Sequence, residues 1–169
     1  MKWTTIVFIF LLTSLAFGQE PLSPPAKTSV TIAGKQLLIA YSSPRIRGRK
    51  IMGGLVPYGQ WWRTGADNAT TFQTDADLDL GGLKVPKGIY TIYTLPGATE
   101  WQLIVNKQTG QWGTEYNQRQ DLGRVKMNLS QTPAPVDSFK IELSSTGGNK
   151  GLLKMTWERT EVSVPFVVQ

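Results

Sequence analysis

Apolar and polar residues alternate with a period of two over most of the chain. Val30 and Ile32 alternate with Ser29 and Thr31, Ala33-Gly34-Lys35 turns, and Gln36–Tyr41 returns, which is the pattern of a hairpin. Pro44 follows Ser43 and ends it, because proline has no N–H for a sheet ladder. The same reasoning predicts strands over Lys50–Met52, Ala69–Thr74, Ala76–Leu80, Ile89–Leu95, Trp101–Asn106, Arg124–Leu129, Ser138–Leu143, Leu152–Glu158 and Val162–Val168. Gly53-Gly54, Gly81-Gly82, Pro86-Lys87-Gly88, Pro96-Gly97, Pro133-Ala134-Pro135 and Gly147-Gly148-Asn149 separate them as turns. No long window carries a helical period. About ten short strands at this spacing predict an all-β fold, a single-domain antiparallel β-sandwich with a barrel as the alternative. The longest irregular stretch, Lys107–Gly123, is rich in Gln, Gly, Asn and Tyr, and loops of that length tend to be functional.

The amino-terminal segment follows a different pattern. Lys2 precedes an unbroken apolar run from Ile6 to Leu12 that continues to Phe17, and Ala16-Phe17-Gly18 fits the small-x-small rule of a cleavage site. The run is shorter than the ~20 residues of a spanning helix. Residues 1–18 are therefore expected to be a signal peptide, 19–27 a flexible Pro-rich leader, and 28–169 the folded domain. The expected destination is the periplasm or the medium, with no stable membrane insertion after cleavage. No Cys follows the apolar run to carry a lipid.

Composition removes whole classes of chemistry. The 169 residues include no Cys and no His, so thiol nucleophiles, disulfides, Ser-His-Asp triads and the usual zinc sites are excluded. No cofactor and no metal are expected. The formal charge is +6, and the excess lies in the first third. Lys27, Lys35, Arg45, Arg47, Arg49, Lys50 and Arg63 fall between Pro21 and Ala66 with no acidic residue among them. Asp67, Asp75, Asp77 and Asp79 follow directly. No nucleic-acid recognition motif accompanies the basic segment, so no nucleic-acid partner is expected.

Four groups of residues stand out. Asp75, Asp77 and Asp79 have the spacing of a calcium loop, but Leu80 and Pro86 stand where that loop needs Gly and Glu. On a strand the three carboxylates would share a solvated face. Arg45, Arg47 and Arg49 would align on one side if extended, either as an oxyanion clamp or as a solvated edge that deters aggregation. In Tyr58–Asn68, neighbouring Trp61 and Trp62 cannot both face one core in a strand, so one of them lines a cleft or the surface. Arg63, Asp67 and Asn68 beside aromatics suit a sugar, whose apolar face packs on a ring while its hydroxyls hydrogen-bond. A Trp-capped core with Arg63 on loop carbonyls suits them equally. The last group is Trp112, Glu115 and Tyr116 with Asp121 and Arg124; its two acids are the minimum for glycoside hydrolysis.

Several of these segments together resemble a known family. Tyr41-Ser-Ser-Pro-Arg45, Gly48–Gly59, Trp62-Arg-Thr-Gly-Ala66, Ala69-Thr70, Pro86-x-Gly-x-Tyr90 and Gln111-Trp-Gly-Thr-Glu-Tyr116 with Arg124-Val125 are similar to the exported bacterial family known as domain of unknown function 2911. The resemblance spans about Thr28 to Val164. It implies export and one β-rich domain, and it supplies no reaction. In that family Trp-Arg-Thr-Gly-Ala is usually followed by Asn and then Glu. Here those positions hold Asp67 and Asn68, a departure that weighs against a catalytic acid more than against a binding site.

The leading expectation is a non-enzymatic binding module for a polar small molecule or glycan. Its pocket would take Tyr58, Trp62, Arg63, Asp67, Asn68, Trp112, Glu115 and Tyr116, with Arg45 and Arg124 as further ligand-binding residues. The alternatives are a small hydrolase or isomerase using Glu115 with Asp121 or Asp67, and an envelope-associated protein that meets anionic polymer through Arg45–Lys50. A single pocket requires that Trp62–Asn68 and Trp112–Tyr116 lie within about two strand spacings, ~10 Å, of each other.

Overall fold

The computed structural model describes residues 21–169, so the expected signal peptide lies outside the described residues. The described chain is all-β and antiparallel. Its strands are β1 (Pro25–Ile32), β2 (Lys35–Ser42), β3 (Thr71–Thr74), β4 (Leu78–Leu80), β5 (Leu83–Val85), β6 (Gly88–Leu95), β7 (Trp101–Asn106), β8 (Asp121–Gly147) and β9 (Lys150–Val168). They hydrogen-bond in the order β1-β2-β3-β6-β7-β8-β9-β4-β5.

The period-two pattern produces this arrangement directly. Ile32 pairs with Lys35, so β1 and β2 join through a two-residue turn at Ala33–Gly34, both with positive φ. That backbone matches the right-handed twist of the flanking strands. The strand starts at Pro25, inside the segment expected to be a flexible leader. Proline is tolerated there because β1 is an edge strand whose outward N–H side needs no partner. Lys50–Met52 is not a strand: Met52 bridges Val56 within a tight turn.

The larger departure is in the second half. Four expected strands are two long ones, and Pro133-Ala134-Pro135 is not a turn. β8 runs through it, and the register with β9 shifts between Gln131 and Val136 and again between Val136 and Lys140. These bulges absorb residues that cannot donate to the ladder, and they bend and twist the ribbon. The bend folds the second half of the sheet over the first, so that Ile39, Phe72, Ile92 and Leu103 share one buried cluster with Phe139, Ile141, Leu153, Trp157 and Val164. Cross-links at the open side include Leu143 N–H to Thr28 Oγ1 at 3.1 Å and Ile141 N–H to the Tyr41 hydroxyl oxygen at 3.0 Å.

The same bends position Trp157. Its Nε1–H donates to Asp137 O at 3.0 Å, inside the bulged stretch, and the ring is almost fully buried. The next residue, Glu158, has φ of 50° and accepts from the backbone N–H of Met52 at 3.1 Å. The carboxylate thereby fixes the 51–56 turn to the ribbon.

β9 coils so strongly that its ends meet. Val168 N–H donates to Asn149 O at 2.8 Å, and Asn149 Nδ2 donates to Val168 O at 2.9 Å. The Phe166 ring then lies on Gly151, where an added Cβ would stand 2.2 Å from Cζ of the ring. Gly151→Ala is expected to destabilise the protein by roughly 1–3 kcal/mol through overpacking, measured by urea denaturation; an unchanged midpoint would contradict this account of the closure.

Candidate functional site

The first concave surface worth building is a cleft of about 310 Å³ above the core. Trp62 and Trp157 stand at its base, Trp61, Leu55, Pro57 and Pro44 at its walls, and Arg49, Arg63, Ser23, Thr114, Gly65 and Ala66 complete the lining. Among the described residues no carboxylate lines it.

The segment that carries Trp62 and Arg63 crosses β6 as a single bridge rather than as a strand. Trp62 N–H donates to Thr94 O at 2.7 Å, and Thr94 N–H returns to Trp62 O at 3.0 Å. Trp62 packs on Trp157 with ring centroids 5.8 Å apart and planes 19° from parallel, and edge-on to Phe139. Aromatic pairs of this kind contribute about 0.5–1.5 kcal/mol beyond the area they bury. Trp61 points the other way, as alternation requires. Its exposed ring packs against Tyr93 and, at 4.9 Å, against Tyr116. Both tryptophans nonetheless line the cleft, Trp62 as floor and Trp61 as wall.

Beyond Arg63 the backbone is strained. Thr64 is fully buried with φ of 56°, and Asp67 has φ of 57°. A left-handed conformation costs about 1–2 kcal/mol for a residue with a Cβ and is rarest for β-branched ones. A threonine cluster holds it. Thr64 Oγ1 donates to Trp62 O, Thr94 Oγ1 then donates to Thr64 Oγ1 at 3.1 Å, and Thr70 Oγ1 donates to Thr64 O at 2.7 Å. Strain of this kind persists only where surrounding structure enforces it, and it concentrates at functional sites.

The long loop Lys107–Asn117 covers the outer face of β6, so Thr91 and Tyr93 are buried as well as Tyr90 and Ile92. Gln111 Nε2 donates to both Thr91 Oγ1 and the Tyr93 hydroxyl. Those hydroxyls in turn donate to Gln108 O and Glu115 O. With both hydroxyl protons used, only the amide nitrogen of Gln111 fits between them. Asn106 moors the far end, donating to Asn117 O and Asp121 Oδ1 at 2.9 Å each.

The two motif segments meet. Asn68 bridges Trp112, Ala69 N–H donates to Gln111 O, and Gly113 N–H donates to Asp67 O at 2.9 Å. Gly113 is the seat of the arginine: a Cβ there would lie 2.7 Å from Cδ of Arg63 and 2.6 Å from Asp67 O. The stem of Arg63 thus packs on bare backbone.

The expected pocket residues divide among several surfaces. Trp62 and Arg63 line the cleft. Asp67, Asn68, Trp112 and Glu115 are exposed on the neighbouring segments and lie outside its lining. Tyr116 and Arg124 line a second depression on the far side of Trp61, with Gln60 and Gln118. Tyr58 lines a third, with Trp101 and Leu129, because the 53–59 turn carries it away from the cleft. Arg45 bridges Ser138 and is exposed. The three arginines do not align. Arg47 and Gly48 have positive φ, so the segment turns, and Arg47 Nη2 donates to Leu22 O while Arg49 folds back on Arg45 O and Ile46 O. Trp61, Arg49, Thr114 and Trp157 are among the lining residues that the expected pocket did not include.

The acids are placed separately. Asp121 accepts from Asn106, from the Tyr116 hydroxyl at 2.7 Å and from Arg124. Among the described residues no cluster of three acids could hold a metal. Asp77 and Asp79 cap turns, accepting from Lys87 N–H and Gly82 N–H, and Asp79 also pairs with Lys84. Burial and then the Asp121 carboxylate push the Tyr116 hydroxyl up to about 12, against a smaller opposing effect of Arg124.

Two measurements test this geometry. Gly113→Ala is expected to cost about 1–3 kcal/mol in denaturant stability, because backbone and the Arg63 stem must both shift; unchanged stability would show that the loop yields freely. In an absorbance titration Tyr116 ionises last, and Asp121→Asn brings it part of the way back toward 10.0, since burial, the larger cause, remains. Its folded pKa lies above the unfolded one, so its contribution to stability is complete below about pH 10 and lost as the pH rises through about 12. A Tyr116 titration indifferent to Asp121→Asn would contradict the assigned contact.

No curated protein and no solved structure matches the chain. Residues 23–166 match the family described as Protein of unknown function (DUF2911), which includes the strained turn, the Gly113 loop and the bulged ribbon. The chain belongs to that family.

Proposed function

We propose that this protein is an exported, non-enzymatic binding module that takes a polar small molecule or a glycan unit in the cleft over Trp62. The observation that carries the reading is the lining itself. Three tryptophans and two arginines meet in a space of about 310 Å³ that no carboxylate of the described residues lines. That size is at the lower end of small-molecule sites and suits a ring of one sugar. Aromatic walls take the apolar face of such a ring, while Ser23, Thr114 and the guanidinium groups take its polar edge.

Two further features support binding over catalysis. The strained Arg63–Asp67 turn is held rigid by buried threonines, which preorganises the cleft and lowers the entropy lost on association. Asp67 and Glu115, the acids nearest in sequence, are exposed outside the lining, and Asp121 is engaged by three partners.

The test is tryptophan fluorescence titration with glucose, N-acetylglucosamine and glucuronate. At least one of these is expected to shift the emission. Trp61→Ala is expected to weaken that binding about threefold to tenfold, the worth of one aromatic contact, and to lower the unfolding midpoint while leaving a cooperative transition, since its packing on Tyr93 and Tyr116 is lost as well. Binding that is indifferent to Trp61→Ala would place the ligand elsewhere and overturn the reading.

A further inference from the structure

We infer that the ligand of this cleft carries an oxyanion, a carboxylate or a phosphate ester, on its sugar-sized ring, and that Arg49 and Arg63 receive it. The inference rests on the proposed binding function and deepens it.

The lining of the cleft is unbalanced in charge. Arg49 and Arg63 both line the cleft, and among the described residues no acidic side chain does. The ion pairs of the described residues use Lys84, Arg124, Lys126 and Lys154, so neither arginine is neutralised by a carboxylate among them. Two like charges facing one concavity repel each other, and the low-dielectric aromatic walls strengthen that repulsion. An anion entering the cleft converts it to attraction.

The arginines are also held for this task. Arg49 spends Nε on Ile46 O at 3.1 Å and Nη2 on Arg45 O at 2.7 Å, which fixes its plane and leaves Nη1 uncommitted among the described residues. Arg63 is half-buried, and its stem lies on the bare backbone of Gly113. Its guanidinium makes no hydrogen bond among the described residues. A planar fork with fixed stem and free donors matches a carboxylate or phosphate edge in bidentate fashion. Beside Ser23 and Thr114, the remaining lining is largely apolar, from Leu55, Pro57 and the tryptophans, which suits a ring behind the anion rather than a bare inorganic ion.

The test is isothermal titration calorimetry of the full chain with glucose, glucuronate and glucose 6-phosphate. Glucuronate, glucose 6-phosphate or both are expected to bind more tightly than glucose, and which of them does identifies the oxyanion. Arg49→Gln and Arg63→Gln are each expected to weaken the charged sugar about tenfold to hundredfold, the range of a lost charge-assisted hydrogen bond, and to weaken glucose, which meets them only through neutral hydroxyls, by a clearly smaller factor. Arg63→Lys keeps the charge without the fork and is expected to recover only part of the loss. Exposed Lys87→Gln removes a charge elsewhere and is expected to change nothing. Should Arg63→Gln fail to fold, Arg49→Gln, on an exposed side chain, decides alone.

Equal binding of glucose and the charged sugars, still weakened by Trp61→Ala, would overturn the oxyanion while leaving the binding function in place. Tighter binding of the charged sugars that Lys87→Gln weakens as much as Arg49→Gln would reduce it to general surface charge and overturn it too. No binding of any of the three to the unaltered protein would overturn both.

Discussion

Trp62 lies flat on Trp157, and the position of the cleft depends on that joint. Trp157 belongs to the bulged ribbon, anchored by its indole N–H on Asp137 O. Trp62 belongs to an irregular segment whose backbone is bridged to β6 at Thr94. Without the stack, the segment would rest on a few hydrogen bonds of about 1 kcal/mol each. With it, a loop becomes an extension of the core. The shift of register around Val136 therefore reaches the surface site: it turns Trp157, Trp157 seats Trp62, and Trp62 sets where Trp61 and Arg63 emerge.

The backbone beyond Trp62 shows which effect prevails locally. Thr64 in a left-handed conformation costs about 1–2 kcal/mol. Three hydrogen bonds within the threonine cluster, at about 1 kcal/mol each, offset that cost in full. The turn then points Arg63 toward the cleft and brings Asp67 O to Gly113 N–H. The strain is local, and the cluster that holds it is buried away from solvent.

The sequence was readable where one physical signal acted alone. Trp101–Asn106 is a strand with the expected bounds, because alternation and flanking turns agree there. The neighbouring tryptophans were expected to part company, and Trp62 is buried while Trp61 is exposed. Four things were not readable. Pro133-Ala134-Pro135 carries a turn composition, yet long-range pairing with β9 carries the strand on through it as a bulge. Leu83–Val85 is too short for alternation to register, and it is a strand because Leu78–Leu80 pairs with it. Arg49 joins Arg63 only because Arg47 and Gly48 turn the chain back, a matter of φ angles that basic residues in a row conceal. Tyr58 was grouped with Trp62 by proximity in sequence, and the 53–59 turn separates them in space.

The central claim is that two arginines held in a tryptophan-lined cleft await an oxyanion. Side-chain NMR observes this most directly, through the Nε–H resonances of the arginines in the presence of glucuronate and glucose 6-phosphate. The account predicts saturable shifts at Arg49 and Arg63, with Arg45, Arg47 and Arg159 unmoved. Equal small shifts across all the arginines, or movement confined to Arg124 on the far side of Trp61, would contradict it.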